Sequence, residues 1–181
     1  ISSAYALDRK KMLQGQPATS NRYQTDQLPG FLGFNELTPA DLDGKTPPPT
    51  GAPGYFVRQV DDEFHFAANT PKDYLEIWAF HADFANPANA TFTRLPNVPV
   101  ADFDSSICNG GAEGDCIAQP DSTQRLDSLP QMTMHRLQYR KFGPIETLVG
   151  NFTVDATGQD QAGIRWFVLN KLGQSRWFTS Q

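Results

Sequence analysis

Tyr74-Leu75-Glu76-Ile77-Trp78-Ala79-Phe80-His81-Ala82-Asp83-Phe84 is apolar on both sides of a two-residue repeat. At strand periodicity Tyr74, Trp78, Phe80 and Phe84 share one face, while Leu75, Ile77 and Ala79 share the other. The stretch Ile164-Arg165-Trp166-Phe167-Val168-Leu169 behaves alike, with Ile164, Trp166 and Val168 opposite Phe167 and Leu169. An antiparallel sheet with one wet face alternates apolar and polar residues, so both strands are predicted to be covered twice. Without crossover helices, double cover points to sheets stacked face to face in series, as propeller blades are. On this reading Trp78 and Trp166 are both buried where sheets meet.

Outward from these strands the chain stays strand-like. Residues 4–7, 54–60, 91–95, 134–142, 146–154 and 176–179 are rich in aromatic and β-branched side chains and bounded by Gly, Pro, Asn and Asp. The one helix signal lies in 6–15, where Asp8 precedes Arg9-Lys10-Lys11-Met12-Leu13 and Gly15 stops it. The fold class is therefore all-β, built of antiparallel four-stranded blades. Short apolar strands near Tyr5, Ile77 and Arg165, each followed by a polar turn and a shorter strand, form a faint repeat. Residues 1–27 read as half a blade, 31–105 as one blade and 130–181 as another, with a hairpin turn at Gly143-Pro144. That makes about two and a half blades of a single domain.

Composition narrows the function. The 181 residues carry a net charge of −5, with six lysines in no dense run, which argues against binding nucleic acid through phosphate neutralisation. No apolar run approaches the roughly 20 residues of a membrane helix. Gly-x-Gly-x-x-Gly, Gly-x-x-x-x-Gly-Lys, Gly-x-Ser-x-Gly and His-Glu-x-x-His are all missing, which disfavours nucleotide enzymes, serine hydrolases and zincins of those types. Asn89-Ala90-Thr91 and Asn151-Phe152-Thr153 match the glycosylation sequon. The first residue is Ile1, without signal-peptide features, and the last residues end in a strand. Both ends read as cut from something longer.

Cys108 and Cys116 flank a seven-residue spacer holding three glycines. Such a spacer folds back readily, so a disulfide is the favoured reading over two free thiols or a metal site. A disulfide implies an oxidising compartment, secreted or extracellular, or else periplasmic.

Five motifs carry a family resemblance: Ala6-Leu7-Asp8, Met12-Leu13-Gln14-Gly15-Gln16-Pro17-Ala18, Ala40-Asp41-Leu42-Asp43-Gly44 with Pro47-Pro48-Pro49, Tyr139-Arg140-Lys141-Phe142-Gly143, and Gly163-Ile164-Arg165-Trp166. Together they resemble a family of large uncharacterised bacterial secreted proteins with β-propeller, sialidase-like repeats. The resemblance implies fold and export and a chain that continues on both sides; it brings no established activity and says nothing about catalytic residues.

Four groups of side chains are candidates for chemistry. Asp41 and Asp43, alternate carboxylates before Gly44, suit Ca²⁺ or a backbone-capping turn. Asp61, Asp62 and Glu63, with His65 nearby, form an acidic cluster able to bind a cation, share a proton or act as acid and base, or to sit solvated at a loop tip. His81 and Asp83 share a strand face, where an Asp can orient a His base or simply hydrogen-bond it. Arg136, Arg140 and Arg165 offer guanidinium groups for clamping a carboxylate or for packing along a seam. Asp160-Gln161-Ala162-Gly163 is similar to a sialidase Asp box with one residue too many. The favoured function is a non-enzymatic scaffold or binding module of a secreted propeller, completed by the rest of its parent or by a second copy. The alternative is a carbohydrate-active enzyme, glycosidase- or sialidase-like, using paired carboxylates such as Asp61, Asp62, Glu63 or Asp83.

Overall fold

Thirteen strands form among the described residues, and the longer ones carry apolar residues at alternate positions that bury a face. The computed structural model describes residues 3–25, 36–65, 72–109, 115–130 and 132–179. The expected blade boundaries at 27 and 31, both chain ends, and the spacer residues 110–114 lie outside them. Strands β1 (Ser3–Leu7) and β2 (Ser20–Gln24) form a separate antiparallel pair joined through α1 (Arg9–Leu13). Asp8 caps that helix by accepting the Lys11 N–H, and Gly15 leaves it at φ +65°. The main sheet holds β3 (Thr38–Leu42), β4 (Gly54–Val60), β5 (Tyr74–His81), β6 (Thr91–Arg94) and β7 (Val98–Pro99). It continues through β10 (Leu137–Phe142), β11 (Ile145–Asp155), β12 (Ala162–Leu172) and β13 (Phe178–Thr179). Between the two groups, β8 (Asp115–Ile117) and β9 (Leu126–Asp127) pair alone.

The fold is all-β, and its eight-strand path β13-β12-β11-β10-β3-β4-β5-β6 curls into a half-barrel. Two four-stranded antiparallel meanders are present, β3 to β6 and β10 to β13, much as the repeat implied. They do not stack as separate blades. Their first strands pair edge to edge and in parallel, with Leu137 opposite Ala40, Gln138 opposite Asp41 and Tyr139 opposite Leu42. Thr38 and Pro39 meanwhile pair with β4, so β3 serves one half with each end. The motif expected to be a loop around Asp41 is thus the strand that joins the sheet. Gly143-Pro144 does make the two-residue hairpin turn, with Gly143 at φ +57°.

Curling explains the double cover of β5. Its Leu75 and Ile77 join Tyr55, Val57, Leu137, Tyr139, Leu148, Phe152, Phe167, Leu169 and Trp177 in one core inside the curl. On the outer side Phe56, Trp78, Phe80 and Phe92 cluster, with Trp78 stacked on Phe92 at 4.8 Å. The β1–β2 pair covers that cluster, its Tyr23 standing 5.4 Å from Phe80 and 5.9 Å from Phe92. Residues 3–24 therefore act as a clasp on the sheet's outer face; among the described residues β1 and β2 pair with no other strand. No such clasp covers the outer face of β12 among the described residues, and Trp166 is 67% exposed. Its expected burial is corrected on that point, while Trp78 is half-buried. The strand β5 also ends at His81 instead of running to 84, because Asp83 turns the chain by accepting the Ala85 and Asn86 N–H groups.

Candidate functional site

The curl closes where β12 and β13 reach β4. The Lys171 ammonium lies 3.0 Å from the Tyr55 hydroxyl, although β11, β10 and β3 separate their strands in the sheet. Lys171 stands opposite Glu146 across the β11–β12 ladder and meets its carboxylate at 2.7 Å. The second Glu146 oxygen accepts the Tyr139 hydroxyl at 2.7 Å. Burial pulls the Lys171 pKa down, but the bonds to Glu146 and Tyr55 outweigh it and hold the ammonium charged above its ordinary 10.5. Burial and then the Glu146 carboxylate push the Tyr139 phenol up, so it stays a donor. Trp177 packs edge-on to Tyr55 at 5.1 Å, and the Lys171 ammonium lies 5.5 and 5.7 Å from the Tyr55 and Trp177 ring centres.

Above this network opens a cleft of about 600 Å³. Connections at one end of the half-barrel make its walls: Pro49 to Pro53 before β4, Leu95-Pro96 after β6, Pro144 in the β10–β11 turn, and Gly173 to Trp177 between β12 and β13. Gly51 at φ +76° and the Ala52 N–H bond to the Pro49 carbonyl give the first wall a tight turn that a side chain would strain. Glu146 and Lys171 form part of the lining, and Arg176 is exposed at the rim. Ligand sites favour such barrel mouths. None of the residues named from the sequence as candidates for chemistry lies in this lining. Glu146 and Lys171 carried a usable signal, because each shares strand parity with core residues: 146 with Leu148 and Phe152, 171 with Phe167 and Leu169. A charge facing a core must find a partner.

Most of the sequence candidates are taken up by one another or by the backbone. Asp41 and Asp43, read as cation ligands, meet Arg136 and Arg140, read as anion ligands, across the parallel β3–β10 seam. The contacts are Arg136 to Asp41 at 3.2 Å and to Asp43 at 3.0 Å, and Arg140 to Asp43 at 3.0 Å. The hydrogen bond from Arg140 leads the causes that hold Asp43 below its ordinary pKa. Arg165 instead donates to the Asp102 and Ala101 carbonyls at 2.8 and 2.6 Å, its guanidinium over the Phe103 ring. Asp83 caps the β5–β6 connection, held below its ordinary pKa chiefly by the Asn86 N–H, while His81 is exposed. Asp160 accepts the Cys108 N–H at 2.6 Å, and Cys108 and Cys116 are joined in a disulfide.

Asp61, Asp62 and Glu63 gather with Asp73, which the sequence reading passed over, so that one oxygen of each lies within 4.8 Å of the others. Asp61 is fully buried and accepts four bonds, from the Glu63, Phe64 and Ser105 N–H groups and the Ser105 hydroxyl. Asp73 accepts the Asp62 and Phe103 N–H groups at 3.0 and 2.5 Å. These two carboxylates thus tie the β4–β5 connection to residues 103–105. Burial raises Asp73 to about 7, and a shared hydrogen bond with Asp62 followed by burial raises Glu63 to about 7. Burial lowers the pKa of His65, whose Nδ1 meets the Asp61 N–H at 3.0 Å. The donor set suits a hard cation, but most of its lone pairs serve the backbone.

Comparison with protein-family models, with curated proteins and with solved structures found no match.

Proposed function

We propose that this chain is a non-enzymatic binding module whose ligand site is the cleft at the mouth of the half-barrel. The observation that carries it is the lining itself: a formed opening of about 600 Å³ whose single carboxylate, Glu146, is already held by Lys171 and Tyr139. Glycoside hydrolysis uses two carboxyl groups roughly 5–10 Å apart astride the scissile bond. Among the described residues of the lining, Glu146 has no second carboxylate beside it. A carbohydrate-active enzyme is the second reading. It draws on the Asp61, Asp62, Glu63 and Asp73 cluster, where raised pKa values suit a general acid.

The wider reading is a secreted, propeller-like parent protein, with the remainder of that parent or a second copy as partner. Its support is the two four-stranded meanders and the disulfide; the parallel seam between the meanders weighs against separate blades. The test for the module is a thermal-shift screen of sugars and small organic acids against the wild type and Trp177→Phe. A ligand that raises Tm in the wild type and less in the variant supports the cleft. Turnover of a chromogenic glycoside, lost on Glu63→Gln, would favour the enzyme instead.

A further inference from the structure

We infer that the cleft takes an anionic ligand, a carboxylate-bearing small molecule; this rests on the cleft being the binding site. Both Glu146 oxygens already accept a bond, one from Lys171 and one from Tyr139, and Glu146 is buried, so the one carboxylate of the described lining is committed to the network. Donors remain. The Trp177 side chain is 6% exposed, and its indole N–H is buried with no acceptor among the described residues. An ammonium has three donors, and among the described residues Lys171 uses two of them, on Glu146 and Tyr55. Arg176, exposed at the rim, has no ion-pair partner among the described residues.

Charge points the same way. Lys171 and Arg176 against Glu146 leave the lining with one net positive charge in a chain that carries −5. A buried N–H without an acceptor is costly, and Trp177 lines the cleft, so a ligand oxygen that meets the indole as it turns toward the cleft relieves that cost. Arg176 is suited to grip a carboxylate in bidentate fashion, while Pro49, Pro53, Pro96 and Leu95 supply apolar walls for a ring. A uronic acid and an aromatic acid share that chemistry, a carboxylate on a small ring.

The test follows the Trp177 indole N–H in proton–nitrogen correlation spectra, assigned by its loss in Trp177→Phe. Sodium glucuronate, sodium benzoate and neutral glucose are titrated in turn. The expected result is a saturable shift of that signal with glucuronate or benzoate and none with glucose, the tighter acid naming the source. Arg176→Gln, an exposed change, should weaken the acid about tenfold, the worth of one charge-assisted bond. Glucose binding as well as the acids, or unchanged affinity in Arg176→Gln, overturns the anionic ligand and leaves the cleft standing as a site. A signal that none of the probes moves at millimolar concentration overturns both.

Discussion

Burial lifts the Asp73 carboxyl from an ordinary 3.8 to about 7, although it accepts two backbone N–H groups that favour its charge. Glu63 rises from 4.5 to about 7 through the hydrogen bond it shares with Asp62. A carboxyl whose folded pKa exceeds its unfolded one holds its proton more tightly in the folded state. Its stabilising contribution is full below about pH 4 and disappears as pH rises through about 7. His65 acts in the opposite sense, because burial lowers its pKa and folding is favoured by the neutral ring. Carbon-13 titration of the side-chain carboxyls should place the Asp73 and Glu63 midpoints near 7. Midpoints near 4 for both would show that water reaches the cluster freely. Sequence offered Asp61, Asp62 and Glu63 as neighbours, but Asp73 joins them only because β4 and β5 pair along their length.

The β1–β2 pair and its helix depend on the outer aromatic cluster for their position. Among the described residues they share no ladder with the main sheet; they are held by Tyr23 on Phe80 and Phe92, by its hydroxyl donating to the Ala90 carbonyl, and by bonds from Thr19 and Asn21 to the Phe84 and Asp83 carbonyls. A two-stranded ribbon alone is marginal in water. Tyr23→Ala should therefore free residues 3–24 as a unit. Amide exchange should accelerate across β1 and β2 while β4, β5, β11 and β12 keep their protection. Uniform acceleration of all strands would mean that the pair is integral to the core. The hairpin from β11 to β12 is organised differently, by Asp155, which accepts the Thr157, Gly158, Asp160 and Gln161 N–H groups. Those bonds, that from Thr157 foremost, hold its pKa at about 2.

At the scale of the molecule, closure of the curl rests on Lys171, Glu146 and Tyr55 as much as on the apolar core. The Glu146 and Lys171 side chains are 3% and 14% exposed, so each needs the other. Lys171→Met leaves a buried carboxylate with only the Tyr139 hydroxyl, and the expected loss is about 3–5 kcal/mol. Adding Glu146→Leu should recover much of it, since removing both partners of a buried pair is far milder than removing one. Urea denaturation of the two variants checks this. A loss below about 1 kcal/mol in the single variant would mean that water, not Lys171, balances Glu146.

Sequence by itself determined the all-β class and most of the longer strands, the short capped helix, the Gly143-Pro144 turn and the pairing of Cys108 with Cys116. Each of these rests on local chemistry: two-residue apolar alternation, an Asp before a helical run, a glycine free to take positive φ, and two thiols in one short loop. It also marked β5 as covered on both faces. What covers a face is a long-range matter, and two arrangements satisfy the same pattern. A blade in a stack and a strand inside a curl with a clasp behind it both bury Leu75 and Phe80. The choice was made by β3, whose Pro39 and alternating aspartates disguise a strand and whose parallel pairing with β10 spans nearly a hundred residues of chain. The same closure gathered the cleft from four separate connections. No local pattern encodes that meeting, because it depends on how far the sheet bends before Lys171 finds Tyr55.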